Sequence, residues 1–195
     1  MGLVIGRIKI VVPVSAEPIS VDDVKDQLRI DIADEDDYLA DLIFAARDYA
    51  ENYTRLSLAS QTLELMLDTL SEVDFIELPG SPVQSVTSFK ITDVFGIDTN
   101  MILGTDYLVD LDRIPARIVL PYNKSWLGIE LHPVAPIRIR YESGYNNTTN
   151  KIPYSLKAGL LLHVGLLYQY RDAEIPEGAM TTVKRLYDMH RAIWF

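Results

Sequence analysis

The chain has 195 residues, 48% of them hydrophobic, with a net charge of −10 and no cysteine. That length and apolar content suit one domain, or one domain with a sizeable insertion, and exclude wholesale disorder. The acidic balance argues against a protein that grips nucleic-acid phosphates through a basic face. The missing cysteines exclude disulfides, thiolate metal sites and thiol nucleophiles.

The N-terminal stretch, through Pro18, does not read as a targeting signal. Arg7 and Lys9 break its apolar run, and no positive charge precedes it. Ile8, Ile10 and Val12 alternate with Arg7, Lys9 and Val11, the pattern of a short strand or extended arm. No apolar run approaches the ~20 residues of a membrane span, so the chain reads as soluble, without a membrane partner.

Residues 18–56 organise the rest of the chain. Ser20 occupies an N-cap position with Asp23 three places on, and Ile19 and Val24 flank it as a hydrophobic staple. Val24, Leu28 and Ile30 then continue a short apolar stripe. The chain restarts at Asp34, again with an acid three residues later, Asp37. From there Leu39, Leu42, Ile43, Ala46, Tyr49, Ala50 and Tyr53 recur at helical spacing. The acids Asp34 to Asp37 stand at the positive end of that helix dipole. Core packing is the ordinary role for both stripes.

Near Ser60 the period changes from helical to two. Leu63, Leu65 and Leu67 alternate with Glu64, Met66 and Asp68. Further extended runs are expected at 73–78, 83–91, 99–103, 107–111, 117–120 and 137–141. Pro79-Gly80-Ser81-Pro82 breaks the chain, and Phe95-Gly96-Ile97-Asp98 reads as a hairpin turn. Turn signals this frequent predict an antiparallel sheet or small barrel-like unit, not parallel crossovers. Residues 143–153 are a polar loop. Pro153 opens a helix reaching about Arg171, and Gly159 and Gly165 inside it predict close helix contacts, since each costs about 1 kcal/mol against alanine. A last helix is expected over 179–192.

The expected fold is therefore α+β: a small helical bundle of four helices with an antiparallel β insertion between the second and third. The segments are 1–59 (arm and two helices), 60–142 (β insertion) and 143–195 (loop and C-terminal helices).

No catalytic constellation is visible. His132, His163 and His190 are isolated from one another, and His163 falls within an apolar helix, where a hydrogen-bonded core residue is the usual case. An EF-hand loop begun at Asp31 would need glycine at Asp36 and glutamate at Leu42, so that register fails. Asp106, Asp110 and Asp112 on a polar strand face serve solubility more often than catalysis. There is no Gly-rich phosphate loop and no nucleophile elbow. Cofactor and metal sites are expected to be absent, and the chain is not expected to be an enzyme.

One resemblance spans most of the chain. Pro18-Ile19-Ser20, the run Val24 to Ile30, the acid-rich corner and the helix end Ala50-Glu51-Asn52-Tyr53-Thr54 resemble the start of tailed-phage head–tail connector (adaptor) proteins. Pro79 to Val86, Pro115 to Leu120 and Ile139 to Tyr145 resemble that family's later links, in the same order. The resemblance implies a phage or prophage virion component of the neck, made in the bacterial host cytoplasm. It implies a homo-oligomeric ring of about a dozen copies, bound to the portal protein on one side and a tail-side stopper or completion protein on the other. DNA would pass through as cargo, and an acidic wall would let it slide. Tyr187, Trp194 and Phe195 are the candidate portal contacts, as aromatic anchors for a partner's pocket. Another neck or tail-completion protein and a carboxylate-based hydrolase stand as the alternatives.

Overall fold

The computed structural model describes residues 6–70, 75–122, 124–126, 130–146 and 151–192. The chain is mixed α+β. Its elements run β1 (Arg7–Val12), α1 (Val21–Leu28), α2 (Asp36–Thr54), β2 (Gln61–Leu67), β3 (Phe75–Leu78), β4 (Val83–Thr92), β5 (Asp98–Asn100), β6 (Leu108–Asp110), β7 (Ala116–Val119), β8 (Ile137–Ser143), α3 (Tyr154–Gln169) and α4 (Glu177–Asp188). They form two compact units. Among the described residues, a sheet unit holds those of 6–14 and 60–144, and a helical unit holds those of 15–59 and 145–192.

In the helical unit the N-cap expected at Ser20 is present. Its hydroxyl accepts from the Asp23 backbone N–H, and the Asp23 carboxylate accepts from the Ser20 N–H, both at 3.0 Å. Such a cap contributes about 1 kcal/mol to the helix. The next helix begins one residue later than the sequence pattern predicts. Glu35, not Asp34, is the N-cap of α2, and its side chain makes no cap bond. The Glu35 carboxylate is occupied elsewhere, accepting from the Tyr168 hydroxyl at 2.5 Å and lying 3.4 Å from Arg171.

Leu39, Ile43, Ala46 and Ala50 of α2 form the core stripe with Val24 of α1, Leu156, Leu160 and Val164 of α3, and Val183 and Tyr187 of α4. The close approach predicted at Gly159 is there. A Cβ on it would lie 2.7 Å from Tyr187 Cε1, closer than packed atoms tolerate, so only glycine lets α4 lie this near α3. At Gly165 the same construction meets Leu28 Cδ2 at 3.4 Å. Arg47, also on α2, is buried among these apolar residues. Its guanidinium reaches Glu17 at 2.6 Å and Glu51 at 2.9 Å.

The β block forms two antiparallel sheets. One has five strands in the order β1-β2-β8-β4-β5, and the other has three, β3-β7-β6. The N-terminal arm, grouped with the helices from sequence, is the edge strand β1, pairing with β2 from Arg7↔Met66 to Ile10↔Leu63 before a bulge near Val12. Its backbone groups find their partners in the sheet, which places it in that unit. The return strand expected over 99–103 is shorter, Asp98–Asn100.

Register shows why the period-two segments bury one face. Leu63, Leu65 and Leu67 stand opposite Tyr141, Ile139 and Ile137 of β8. Those in turn stand opposite Val86, Phe89 and Ile91 of β4. Ile76, Leu78, Ala116 and Ile118 of the smaller sheet share that core. The other face carries charges in ladders: Glu64 meets Arg140 at 2.9 Å, and Asp98 meets Arg138 at 2.5 Å. Among the described residues, no helix is long and apolar enough to cross a membrane.

Candidate assembly surfaces

The three residues singled out as partner contacts fall differently. Tyr187 is fully buried, 0% exposed, with its ring against Gly159 and its hydroxyl 3.4 Å from His163 Nδ1. It is a core residue of the helical unit and presents no surface on the folded chain. Burial also holds the Tyr187 hydroxyl well above its ordinary pKa. Trp194 and Phe195 lie outside the described residues.

His163 is the core histidine that its apolar surroundings predict. Tyr49 packs edge-on at 5.0 Å between ring centroids, and burial pushes the imidazole pKa down to about 4. It is therefore neutral near pH 7 and serves packing. His190 Nε2 lies 2.6 Å from Ser155 Oγ, but among the described residues no carboxylate contacts its Nδ1, so the pair lacks the group that would orient a general base. His132 Nδ1 is tied to the backbone at Val134.

The carboxylates do not converge. Asp106 accepts from the Ile102 N–H, Asp110 pairs with Arg117 at 2.9 Å, and Asp112 is exposed. In the acidic corner Asp36 pairs with Lys25 at 2.8 Å and Glu35 is held by Tyr168 and Arg171. Hydrogen bonding from Tyr168, ahead of Arg171, holds Glu35 below its usual carboxylate pKa. Among the described residues no group of His, Asp or Glu is placed to hold a metal ion. Each acid has an ordinary structural partner or faces water.

What stands out instead is exposed apolar surface. In the sheet unit Ile8 and Ile10 of β1 are exposed, as are Val94, Phe95 and Ile97 of the β4–β5 turn. That turn is held by the Asp93 carboxylate, which accepts from the N–H groups of Phe95 and Ile97, and by Gly96 at φ +81°. Its apolar tip is therefore displayed on a rigid frame. The sequence carried a signal for it, because large apolar residues in a hairpin turn replace the small polar ones that turn geometry favours. In the helical unit Phe44 is exposed on α2, beside Asp37, Asp41 and Asp48 on that helix's outer side.

With this geometry in hand, the likenesses to known proteins become informative. Residues 18–101 match the family model described as phage gp6-like head-tail connector protein. The matched range runs from Pro18, ahead of the capping box, through β5, and includes the Pro79 to Val86 link; the Pro115 and Ile139 segments lie beyond it.

Solved structures extend the likeness of fold to nearly the whole chain. The neck of an empty GTA particle computed with C6 symmetry contains a chain 24% identical, with TM-score 0.73 and 97% of each chain covered. The virion of a native gene transfer agent particle contains one 25% identical, with TM-score 0.72 and 96% of each covered. The neck of a native GTA particle computed with C12 symmetry contains one 24% identical, with TM-score 0.69 and 97% of each covered. No curated protein matches. The family-model match over residues 18–101 and the likeness of fold together support a structural neck or adaptor role.

Proposed function

We propose that this chain is a head–tail connector subunit, one of several copies forming a closed ring in the neck of a phage-like particle. The observation that carries the reading is that a connector-family match over residues 18–101 coincides with a fold shared end to end with neck and virion chains. The neck structures computed with sixfold and twelvefold symmetry support a multi-copy ring. A ring of about a dozen copies needs head-to-tail contacts that close by rotation.

In this reading the β block, β2 to β8, is an insertion between α2 and α3 that the helical unit carries. The portal protein lies on one side of the ring and a stopper or completion protein on the other. DNA passes through without being held. The net charge of −10 and the outward Asp37, Asp41 and Asp48 of α2 fit a wall that repels a phosphate backbone. The role is mechanical and not catalytic, and its site of action is the assembled virion, after synthesis in the host cytoplasm. Trp194 and Phe195 are the aromatic anchors toward the portal, with Tyr187 supporting the helix that leads to them.

Deleting the gene from a producing strain tests the reading. The expected result is DNA-filled heads that carry no tails, restored by the gene in trans. Normal tailed particles from the deletion strain overturn it. Ending the chain after Ala192 tests the anchors, with retention of the protein on purified heads as the readout. The cut is placed there because the Ala192 N–H donates to the Thr54 carbonyl and holds the preceding segment in the helical unit.

A further inference from the structure

The five-stranded sheet has an apolar face that outruns its cover. One register row crosses the sheet through Ile8, Leu65, Ile139 and Phe89. Exposure along it is 50%, 3%, 0% and 1%. The smaller sheet closes the face over β2, β8 and β4 and leaves β1 open, with Ile10 58% exposed beside Ile8. At the opposite edge the β4–β5 turn presents Phe95 at 85% and Ile97 at 61%. Uncovered apolar surface of this kind marks an interaction site.

We infer that the two edges are each other's partner, the β4–β5 hairpin of one copy seating on β1 of the next. This rests on the ring reading above and names the contact that would build it. Charge selects the pairing. The β1 side carries Arg7 and Lys9, and the hairpin carries Asp93 and Asp98. Two β1 edges would bring cations together, and two hairpins would bring carboxylates together. Only the mixed pairing brings opposite signs together as well as apolar surface. Arg7 and Asp98 also have partners within the chain, Asp68 at 3.0 Å and Arg138 at 2.5 Å, whereas Lys9 is exposed without a carboxylate partner among the described residues. The bulge near Val12 and Pro13 end the regular edge, so the accepting stretch is Arg7 to Ile10. Because the two patches occupy opposite edges, the contact is heterologous and propagates around a ring, whereas an isologous contact would stop at a dimer.

The absence of native cysteine makes the test direct. A copy carrying Ile10→Cys is mixed with one carrying Ile97→Cys, and the mixture is oxidised mildly while native mass spectrometry records the oligomers present. The two positions lie at opposite edges of one sheet, roughly 19 Å apart by strand spacing, so no bond forms within a copy. The expected product is the mixed disulfide dimer, at least tenfold over either homodimer, and a ladder of covalent multimers when one chain carries both changes. Phe95→Asp in that chain cuts the ladder at least tenfold. Homodimers through Ile10→Cys alone, or oligomers without the mixed cross-link, overturn the inference and leave the ring standing. A sample that neither associates nor cross-links at its highest attainable concentration overturns the edge contact, and the gene deletion judges the neck role separately. If either variant fails to fold by circular dichroism, Ile8→Cys with Phe95→Cys gives the same readout.

Discussion

The two units of this protein dispose of their apolar surface in different ways. The helical unit closes on itself. Four helices bury one shared stripe, a glycine lets α4 lie close to α3, and even the cation in that core, Arg47, has carboxylates at 2.6 and 2.9 Å. The sheet unit buries an equally regular core between its two sheets but leaves the face open at β1 and holds out an apolar turn at the other edge. Amphipathic periodicity alone thus does not say whether a surface is meant for the chain's own core or for another molecule. The helical unit buries its shared stripe within the chain while leaving single residues such as Phe44 and Tyr154 exposed, and the sheet unit keeps whole edges that a second molecule can complete.

That contrast can be broken experimentally, starting where the effect is largest. Phe89→Ala, at the centre of the covered sheet face, is expected to cost about 4 kcal/mol of sheet-unit stability by hydrogen exchange. A loss below 1 kcal/mol would mean the covered face is no better packed than the open one. Arg47→Ala leaves Glu17 and Glu51 facing the helical core without their cation, and about 3 kcal/mol is expected in denaturant unfolding.

The helical unit should also weaken with acid through His163. Its folded pKa, pushed down to about 4 by burial, lies below the ordinary 6.5, so between those values the unfolded chain binds the proton and the folded chain does not. Stability therefore falls as pH drops from 6.5 towards 4, by about 3 kcal/mol in all. His163→Gln removes that slope, and a slope unchanged in the variant assigns it to other groups. Gly159→Ala forces its new methyl against Tyr187 and is expected to cost about 2 kcal/mol, read as a lowered Tm. Smallest of all, Phe95→Ser on the hairpin tip should leave monomer stability within about 0.5 kcal/mol, because the ring is already in water. A large loss there would place the tip in the chain's own core.

Much of the fold was legible because it rests on local chemistry. The Ser20–Asp23 cap, the helical repeat from Leu39, the period of two at Leu63 to Leu67 and the turn residues at Gly80 and Gly96 each depend on neighbours a few positions away. The start of α2 was misplaced because a distant tyrosine and arginine claim the Glu35 carboxylate, and no window around residue 35 contains Tyr168 or Arg171. The burial of Arg47 had no signal in the sequence for the same reason, since its partner Glu17 lies 30 positions earlier. Among the candidate contacts, Tyr187 matched the pattern of an anchor, but the space left by Gly159 draws its ring inward. The β4–β5 tip read simply as a turn, because exposure is a property of what fails to arrive from elsewhere in the chain.

By itself, then, the sequence determined the element types, the antiparallel character of the β block, the absence of thiol chemistry and the likeness of residues 18–101 to a connector family model. Those follow from backbone propensity, side-chain period and composition, all of which act over short range. Only the tertiary structure decided that the β block is two sheets, that the N-terminal arm is an edge strand, and that Ile8, Ile10, Phe95 and Ile97 stay in water. Strand order and burial are set by which distant segments meet, and that choice is made by the packing of the whole core.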